Sequence, residues 1–549
     1  MTGPAGPRSR RPGPIAAPRG PRPGPRGPRA PPRRHFSRAT APAPRAEPAH
    51  PRGSRASPAS PPRPTARGHP TMPTRAFLTA FAATAATTPD APALTWHDRE
   101  LGYADLDALA HQAEPLLAGL PPGAPVCVPA TKSPETIALL IACFRAGLRV
   151  LLPSPELGAD ALRRLCEQVG CPHVLTAADA PGGAPSAIAT DLAPTTLPGP
   201  GLLLTTSGST GTPKVVVLAE EGVDAFLAWA AAAFSIQPGT AVLNHAPLNF
   251  DLCLLDVWAT LAAGGRVDLV DPAHAADGAH LAALCRDREP AVVQAVPLFF
   301  RQVTATGGTF PGVRDVLLTG DVTPAALLRE IAEAFPSARL WNVYGCTETN
   351  DSFLHRIDPA STEPLPIGAP IAGVEVRVTD FDGRELTGPA EGELVVRTPF
   401  RALGYHDAAL DRERWSDGWF RTGDLVRRDE RGLLHLSGRT DHQVKVRGVR
   451  TNLAEVERVV LDHPDVLEAA VVAVPDELAG SVLRAVVRRA PDSRLNGLHL
   501  RVHCASALPR TAIPGAFDVG DAALPRTTTG KVDRRALLAT GSTATKERT

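Results

Sequence analysis

Residues 202–217 read Leu-Leu-Leu-Thr-Thr-Ser-Gly-Ser-Thr-Gly-Thr-Pro-Lys-Val-Val-Val. An apolar strand runs into a loop dense in hydroxyls and glycine, and a β-branched strand leaves it. A reversing turn needs only a few such residues, whereas here they fill the whole connection. Glycines let backbone N–H groups approach an anion, the hydroxyls add donors, and Lys214 adds charge, so Thr206, Ser207, Gly208, Ser209, Thr210, Gly211 and Lys214 form a candidate phosphate loop. It is not a Walker A loop. That motif runs from Gly-Lys straight into a helix, while Lys214 follows Pro213 and leads into Val215–Val217.

Around this loop the chain alternates. Strands are expected at Ala93–Trp96, Pro125–Pro129, Arg149–Leu152, His173–Leu175, Ala241–His245, Val267–Val270, Ala291–Ala295 and Asp315–Leu318. Helices are expected between them, among them Glu135–Ala146, Gly222–Phe234, Asp251–Ala263 and Thr323–Ala334. Strands alternating with helices imply βαβ units and a parallel sheet, which collects ligands at the carboxyl ends of its strands. From Pro364 to Gly438 short alternating strands suggest a β-subdomain, and a compact α/β piece follows.

The first 71 of the 549 residues are a different material. They hold 15 Arg and one Glu among dense Pro, Gly and Ala, too little apolar surface to offset ordering entropy. A disordered arm or a start codon misassigned upstream of Met72 both account for them, and the second needs no further role. Removing this segment from the overall net charge of +1 leaves −13 for residues 72–549, which gives no reason to expect nucleic-acid binding. No apolar run is long enough to span a bilayer and no secretory leader is apparent. The eight scattered cysteines, with only Cys166 and Cys171 close together, suggest reduced thiols in the cytoplasm and no zinc site.

Four further blocks follow the loop in order: Asn342–Thr349 (NVYGCTET), Trp419–Leu425 (WFRTGDL), Gly438–Gly448 (GRTDHQVKVRG) and Leu524–Arg534 (LPRTTTGKVDR). With the loop they resemble the signature blocks of the adenylate-forming superfamily, which includes acyl-CoA synthetases, luciferases and the adenylation domains of nonribosomal peptide synthetases. The resemblance covers about residues 74–540. It implies an α/β fold with a large N-terminal domain of βαβ-type layered sheets plus a β-subdomain (residues 72–440) and a small mobile α+β C-terminal domain (441–540), then a tail over 541–549.

It also implies ATP and Mg²⁺, with Tyr344 at the adenine, Thr347 at the α-phosphate, Glu348 on the metal, Asp424 on the ribose, and Asn342 and Arg439 on the nucleotide. Asp441 would be the hinge of the small domain, Gly448 would line the thiol passage, and Lys531 would be the catalytic lysine. Cys346 stands where peptide-synthetase members usually have Pro.

Phe250–Trp258 resembles the peptide-synthetase block in which an Asp binds the substrate amine, here Asp251; the alternative is that Asp251 caps the following helix. By the same resemblance Leu252, Leu255, Ala295, Leu318, Gly320, Val343, Asp351 and Ser352 line the pocket. Asp351 could pair with a second substrate amine, bond a hydroxyl, or face solvent, and a β-amino acid is also open.

With 18 residues after Lys531 and no phosphopantetheine site, the expectation is a free-standing amino acid adenylating ligase of secondary metabolism. It would hand its aminoacyl-AMP to a carrier protein in trans, or less readily to CoA. The rivals are an acyl- or aryl-CoA ligase and a catalytically silent scaffold.

Overall fold

The structure, a computed structural model, describes residues 75–538 apart from 179–181, 191, 193–200, 207–212, 362, 440–442, 448, 477–479, 527–531 and 535. The 1–71 and 541–549 segments therefore lie outside the described residues, as do Ser207, Gly208, Ser209, Thr210, Gly211, Asp441, Gly448 and Lys531.

Two large sheets carry the site. In the first, nine described strands run in the order Ala369–Pro370, Asn350–Arg356, Arg339–Cys346, Asp315–Thr319, Val292–Ala295, Ala241–Asn244, Arg266–Leu269, Pro92–Trp96 and Arg99–Gly102. The run from Arg339–Cys346 to Pro92–Trp96 is parallel, and antiparallel strands close both edges. Val292–Ala295 and Asp315–Thr319 are buried at every position, as expected of strands covered on both faces.

In the second sheet the order is Ala402–Tyr405, Lys214–Leu218, Gly201–Thr206, Arg149–Leu152, Pro125–Cys127, His173–Thr176 and Ser186–Ala189. Thr206 pairs with Lys214, so the two ends of the candidate phosphate loop meet across this ladder.

Side chains of both sheets, among them Leu94, Val242, Leu317, Val150 and Leu204, share one apolar core. The helix Pro134–Arg145 packs into it and is buried from 134 to 144. Its start follows from sequence: the Ser133 hydroxyl accepts the Thr136 amide at 3.1 Å, and Pro134 occupies the first turn, where a missing N–H costs nothing. The other face of the first sheet carries a second core, where Leu243, Val293, Ala295, Val316 and Leu318 meet the helices Gly278–Asp287, Pro297–Thr304 and Ala325–Ala334.

The expected β-subdomain is a five-stranded antiparallel sheet built from Glu375–Thr379 through Leu434–Arg439. Beyond it come the hairpin Gln443–Val446/Val449–Asn452 and a three-stranded sheet, with a core of their own around Val456, Val471, Leu483 and Leu500.

One expected helix takes another form. Where the pattern predicts Asp251–Ala263, the chain makes a turn, then a π-helix Leu254–Ala259 and one α-turn Thr260–Ala262. The wider turn leaves residues 254–259 all buried, and such π segments concentrate at functional sites.

Candidate active site

The strands Arg339–Cys346 and Asn350–Arg356 form a hairpin whose turn is Thr347–Thr349. Gly345 is required there, because a Cβ would lie 2.2 Å from the Asn350 carbonyl oxygen. The turn presents Glu348, whose carboxylate accepts the Tyr405 hydroxyl. Lys214 Nζ stands 5.7 Å from the centre of the Tyr405 ring. The cation at the end of the phosphate loop and the carboxylate of the turn therefore meet around one tyrosine that sequence reading did not single out.

Asp424 sits on Trp419–Arg428 opposite Arg439 on Leu434–Arg439. The Tyr344 hydroxyl donates to one of its oxygens and the Arg439 guanidinium to the other, while Arg439 also reaches the Thr422 carbonyl at 3.1 Å. Three residues from three separate motifs are thus joined. Burial, with the adjacent Asp424 charge, holds the Tyr344 phenol far above its ordinary range, so it stays a donor. Lys445, from the hairpin Gln443–Val446/Val449–Asn452, stands 6.0 Å from the centre of the Tyr344 ring. Asn342 is directed elsewhere, its amide donating to the Pro366 carbonyl at 2.8 Å.

Asp251 does not cap the helix that follows it. Its carboxylate accepts the Thr347 hydroxyl at 2.8 Å, which joins the candidate amine subsite to the Thr347–Thr349 turn. Protein surroundings raise the Asp251 carboxyl; the Thr347 bond opposes this and the nearby Glu348 charge adds to it. Asp351, first residue after Asn350 on the returning strand, is pushed up to about 7 by burial and then by Asp251, with Lys445 and the Gln294 amide acting against both. Behind them Asp256, fully buried on the π-helix, accepts from the Asn244 amide at 3.2 Å. Burial holds its carboxyl well above the usual range, and Asp351 adds to the effect.

The residues expected to line the pocket fall on both faces of the first sheet. Leu255 and Val343 belong to the core between the sheets, and Leu252 packs against it. Ala295 and Leu318 belong instead to the core on the opposite face. Side chains alternate along a strand, so the residues on Leu255's side are Gln294 and Leu317, with Thr319 in register with Val343. Gly320 follows at φ +85°, a left-handed turn that ends the strand and suits glycine. Ser352 is fully buried and donates to the Thr349 and Asn350 carbonyls at 3.1 and 3.3 Å, so its hydroxyl holds the turn rather than facing a ligand.

Sequence reading also missed Lys132. Buried, and lowered to about 8 by loss of solvent, it donates to the Asn244 and His245 carbonyls at 3.2 and 3.0 Å. A signal existed for Asp256, the one acid inside the apolar run 252–263, but none for its partners. From the ends of the parallel strands a cavity of about 480 Å³ opens toward the C-terminal elements, between Val296, Asp321 and Leu327 on one side and Arg447, Asp476 and Gly480 on the other. Among the described residues no helix is long and apolar enough to cross a membrane.

A layered α/β core in which Lys214 and Glu348 meet at Tyr405, and Tyr344 and Arg439 meet at Asp424, has the architecture of a ligase. The chain belongs to the AMP-binding enzyme family, matching it over residues 81–197 and 199–406, and matching the AMP-binding enzyme C-terminal domain over 455–531.

It is 37% identical over 342 residues to an L-proline–[L-prolyl-carrier protein] ligase of Pseudomonas fluorescens, covering 61% of this chain and 67% of that protein. It is 34% identical over 484 residues to phosphinothricin tripeptide synthetase PhsC of Streptomyces viridochromogenes, covering 82% of this chain but 44% of the relative. A solved NRPS protein containing adenylation and PCP domains, bound to a vinylsulfonamide inhibitor, superposes with a TM-score of 0.71 at 28% identity, covering 84% of each chain.

Proposed function

We propose that the protein activates an amino acid with ATP, giving aminoacyl-AMP and pyrophosphate, and then passes the aminoacyl group to the phosphopantetheine thiol of a separate carrier protein. The Thr347–Asp251 hydrogen bond carries this reading, because it sets an amine-binding carboxylate directly against the turn expected at the α-phosphate. Relatives that are carrier-protein ligases support it.

In the first step a substrate carboxylate oxygen attacks the α-phosphorus, the new P–O bond forms, and the bond to the β-phosphate oxygen breaks with release of pyrophosphate. No strong nucleophile has to be created, so catalysis is positioning plus charge neutralisation. Asp251 holds the ammonium, Thr347 faces the α-phosphate, Asp424 and Arg439 fix the ribose side, and the 206–211 loop with Lys214 receives the phosphates. Lys531 meets the developing negative charge.

Glu348 suits a magnesium ion held by one protein carboxylate, water and phosphates, and among the described residues no group of three acids, histidines or cysteines forms a cage. Bound there, the ion neutralises phosphate charge. Residues 441–540 would rotate about Asp441 to exchange Lys531 for the thiol entrance past Gly448. Lys445 stands at the Tyr344 ring in this structure, which fits an arrangement with the hairpin at the site.

Amino-acid-dependent ATP–pyrophosphate exchange tests the first step and thioester loading of a carrier protein the second. Exchange abolished in both Asp251→Ala and Lys531→Ala supports the reading. Exchange only with fatty or aryl acids that survives Asp251→Ala would make the protein a CoA ligase instead.

A further inference from the structure

Three carboxyls, those of Asp251, Asp351 and Asp256, gather at the candidate substrate pocket, more than one amino group can pair with. Asp251, on the turn before the π-helix, takes the α- or β-amine in the reading above. Asp351 lies on the Asn350–Arg356 strand, where the Asp251 charge adds to burial in raising its carboxyl. Asp256 lies behind Asp351 on the π-helix with no exposed surface, and its Oδ1 meets no donor among the described residues. The neighbouring Asn244 is equally buried, and its Oδ1 is likewise unmet. The Gln294 amide, on the same side of the sheet, is unmet at both its oxygen and its nitrogen, so three of these four orphaned atoms are acceptors. A buried acceptor without a donor is costly, and a group rich in hydrogen-bond donors answers most of them.

Charge distinguishes the kinds of donor. A substrate hydroxyl would satisfy an acceptor yet leave Asp351 and Asp251 repelling each other in protein surroundings, and only a cation answers both needs. Among the nearby cations, the core lysine Lys132 acts on Asp256 and is not among the charges acting on Asp351. Lys132 is committed to the carbonyls at the end of the Ala241–Asn244 strand. Lys445 acts on Asp251 and Asp351 from the C-terminal hairpin, an element outside the sheets that build the pocket.

We propose that the acid activated here carries a second basic nitrogen on its side chain, which pairs with Asp351 and points its N–H groups toward Asp256 and Asn244. This rests on the adenylation reading and narrows its substrate class to diamino acids and their cyclic relatives. The proline named for the Pseudomonas relative has a single nitrogen and is the natural comparator.

The test is ATP–pyrophosphate exchange by the full-length protein with 2,4-diaminobutyrate, ornithine and lysine against proline, norvaline and leucine. Wild type, Asp351→Val and the near-isosteric Asp351→Asn are compared, with ATP-induced thermal shift reporting that each variant is folded. The expected result is a wild-type preference for a basic acid of roughly tenfold or more in kcat/KM, reversed toward its apolar counterpart in Asp351→Val, with the loss for the basic acid mainly in KM. Asp351→Asn, which keeps shape and loses charge, should lie between. Exchange favouring proline or another apolar acid and indifferent to both substitutions overturns the proposal while leaving amino acid activation intact. Exchange with no amino acid by folded protein overturns the adenylation reading and this inference with it.

Discussion

Thr347 and Asp251, 96 positions apart in the chain, are joined by a 2.8 Å hydrogen bond between the hydroxyl and one carboxylate oxygen. The bond links the turn of the Arg339–Cys346/Asn350–Arg356 hairpin to the turn ahead of the π-helix. A displacement of either turn is thereby transmitted to the other, and the two candidate subsites hold a set spacing.

Thr347→Val should raise KM for the amino acid and lower kcat together, and Asp251→Asn should do more. Because the two side chains share one bond, their effects should be non-additive by roughly 0.5–3 kcal/mol. A double-mutant cycle on kcat/KM measures this. Strict additivity would show that the bond does not couple the subsites.

Asp424 has each oxygen occupied, one by Tyr344 and one by Arg439. Tyr344→Phe removes one donor and should cost about 1–3 kcal/mol of stability while raising KM for ATP. Arg439→Ala leaves a largely buried carboxylate without its ion pair and should cost more, with Arg439→Lys recovering little because a lysine cannot bridge Asp424 and the Thr422 carbonyl as the guanidinium does. Denaturant melts and ATP titrations separate the two effects.

A Cβ at position 345 would meet the Asn350 carbonyl oxygen at 2.2 Å and the Asp351 Cα at 2.7 Å. Both are backbone, so neither can swing aside. Gly345→Ala should therefore open the hairpin that carries Thr347, Glu348 and Asp351, lowering Tm and abolishing exchange. Retention of wild-type exchange would mean that the turn tolerates a shift of this size.

Asp351 is pushed up to about 7 from 3.8. Between these values the folded protein keeps a proton that the unfolded chain has lost, so its stability falls as pH rises from about 4 to about 7 and levels off above. Asp351→Asn lacks this loss. Its Tm advantage over wild type should be small near pH 4, grow through pH 7 and then stay constant, and a constant difference across the range would show that Asp351 titrates normally.

Much of this protein could be read locally. Strand positions in the layered core, the strand–loop–strand around Lys214 and the order of the blocks all depend on short-range patterns, in which turn residues and apolar periodicity report the backbone directly. The chemistry expected at Asp251 and Asp424 rests on the same short motifs.

What the sequence could not determine is which side of a wholly buried strand faces the pocket. Val292–Ala295 and Asp315–Thr319 are buried on both faces, so hydropathy carries no alternation to set the phase. Ala295 and Leu318, expected in the lining, belong to the core on the face of the sheet opposite Leu255. The pairing of Tyr344 with Asp424, the π-turn that buries Asp256 and the meeting of Asp251 with Asp351 were also decided only in three dimensions. They join residues distant along the chain, and their charges and bonds take effect only when packing has excluded water from between them.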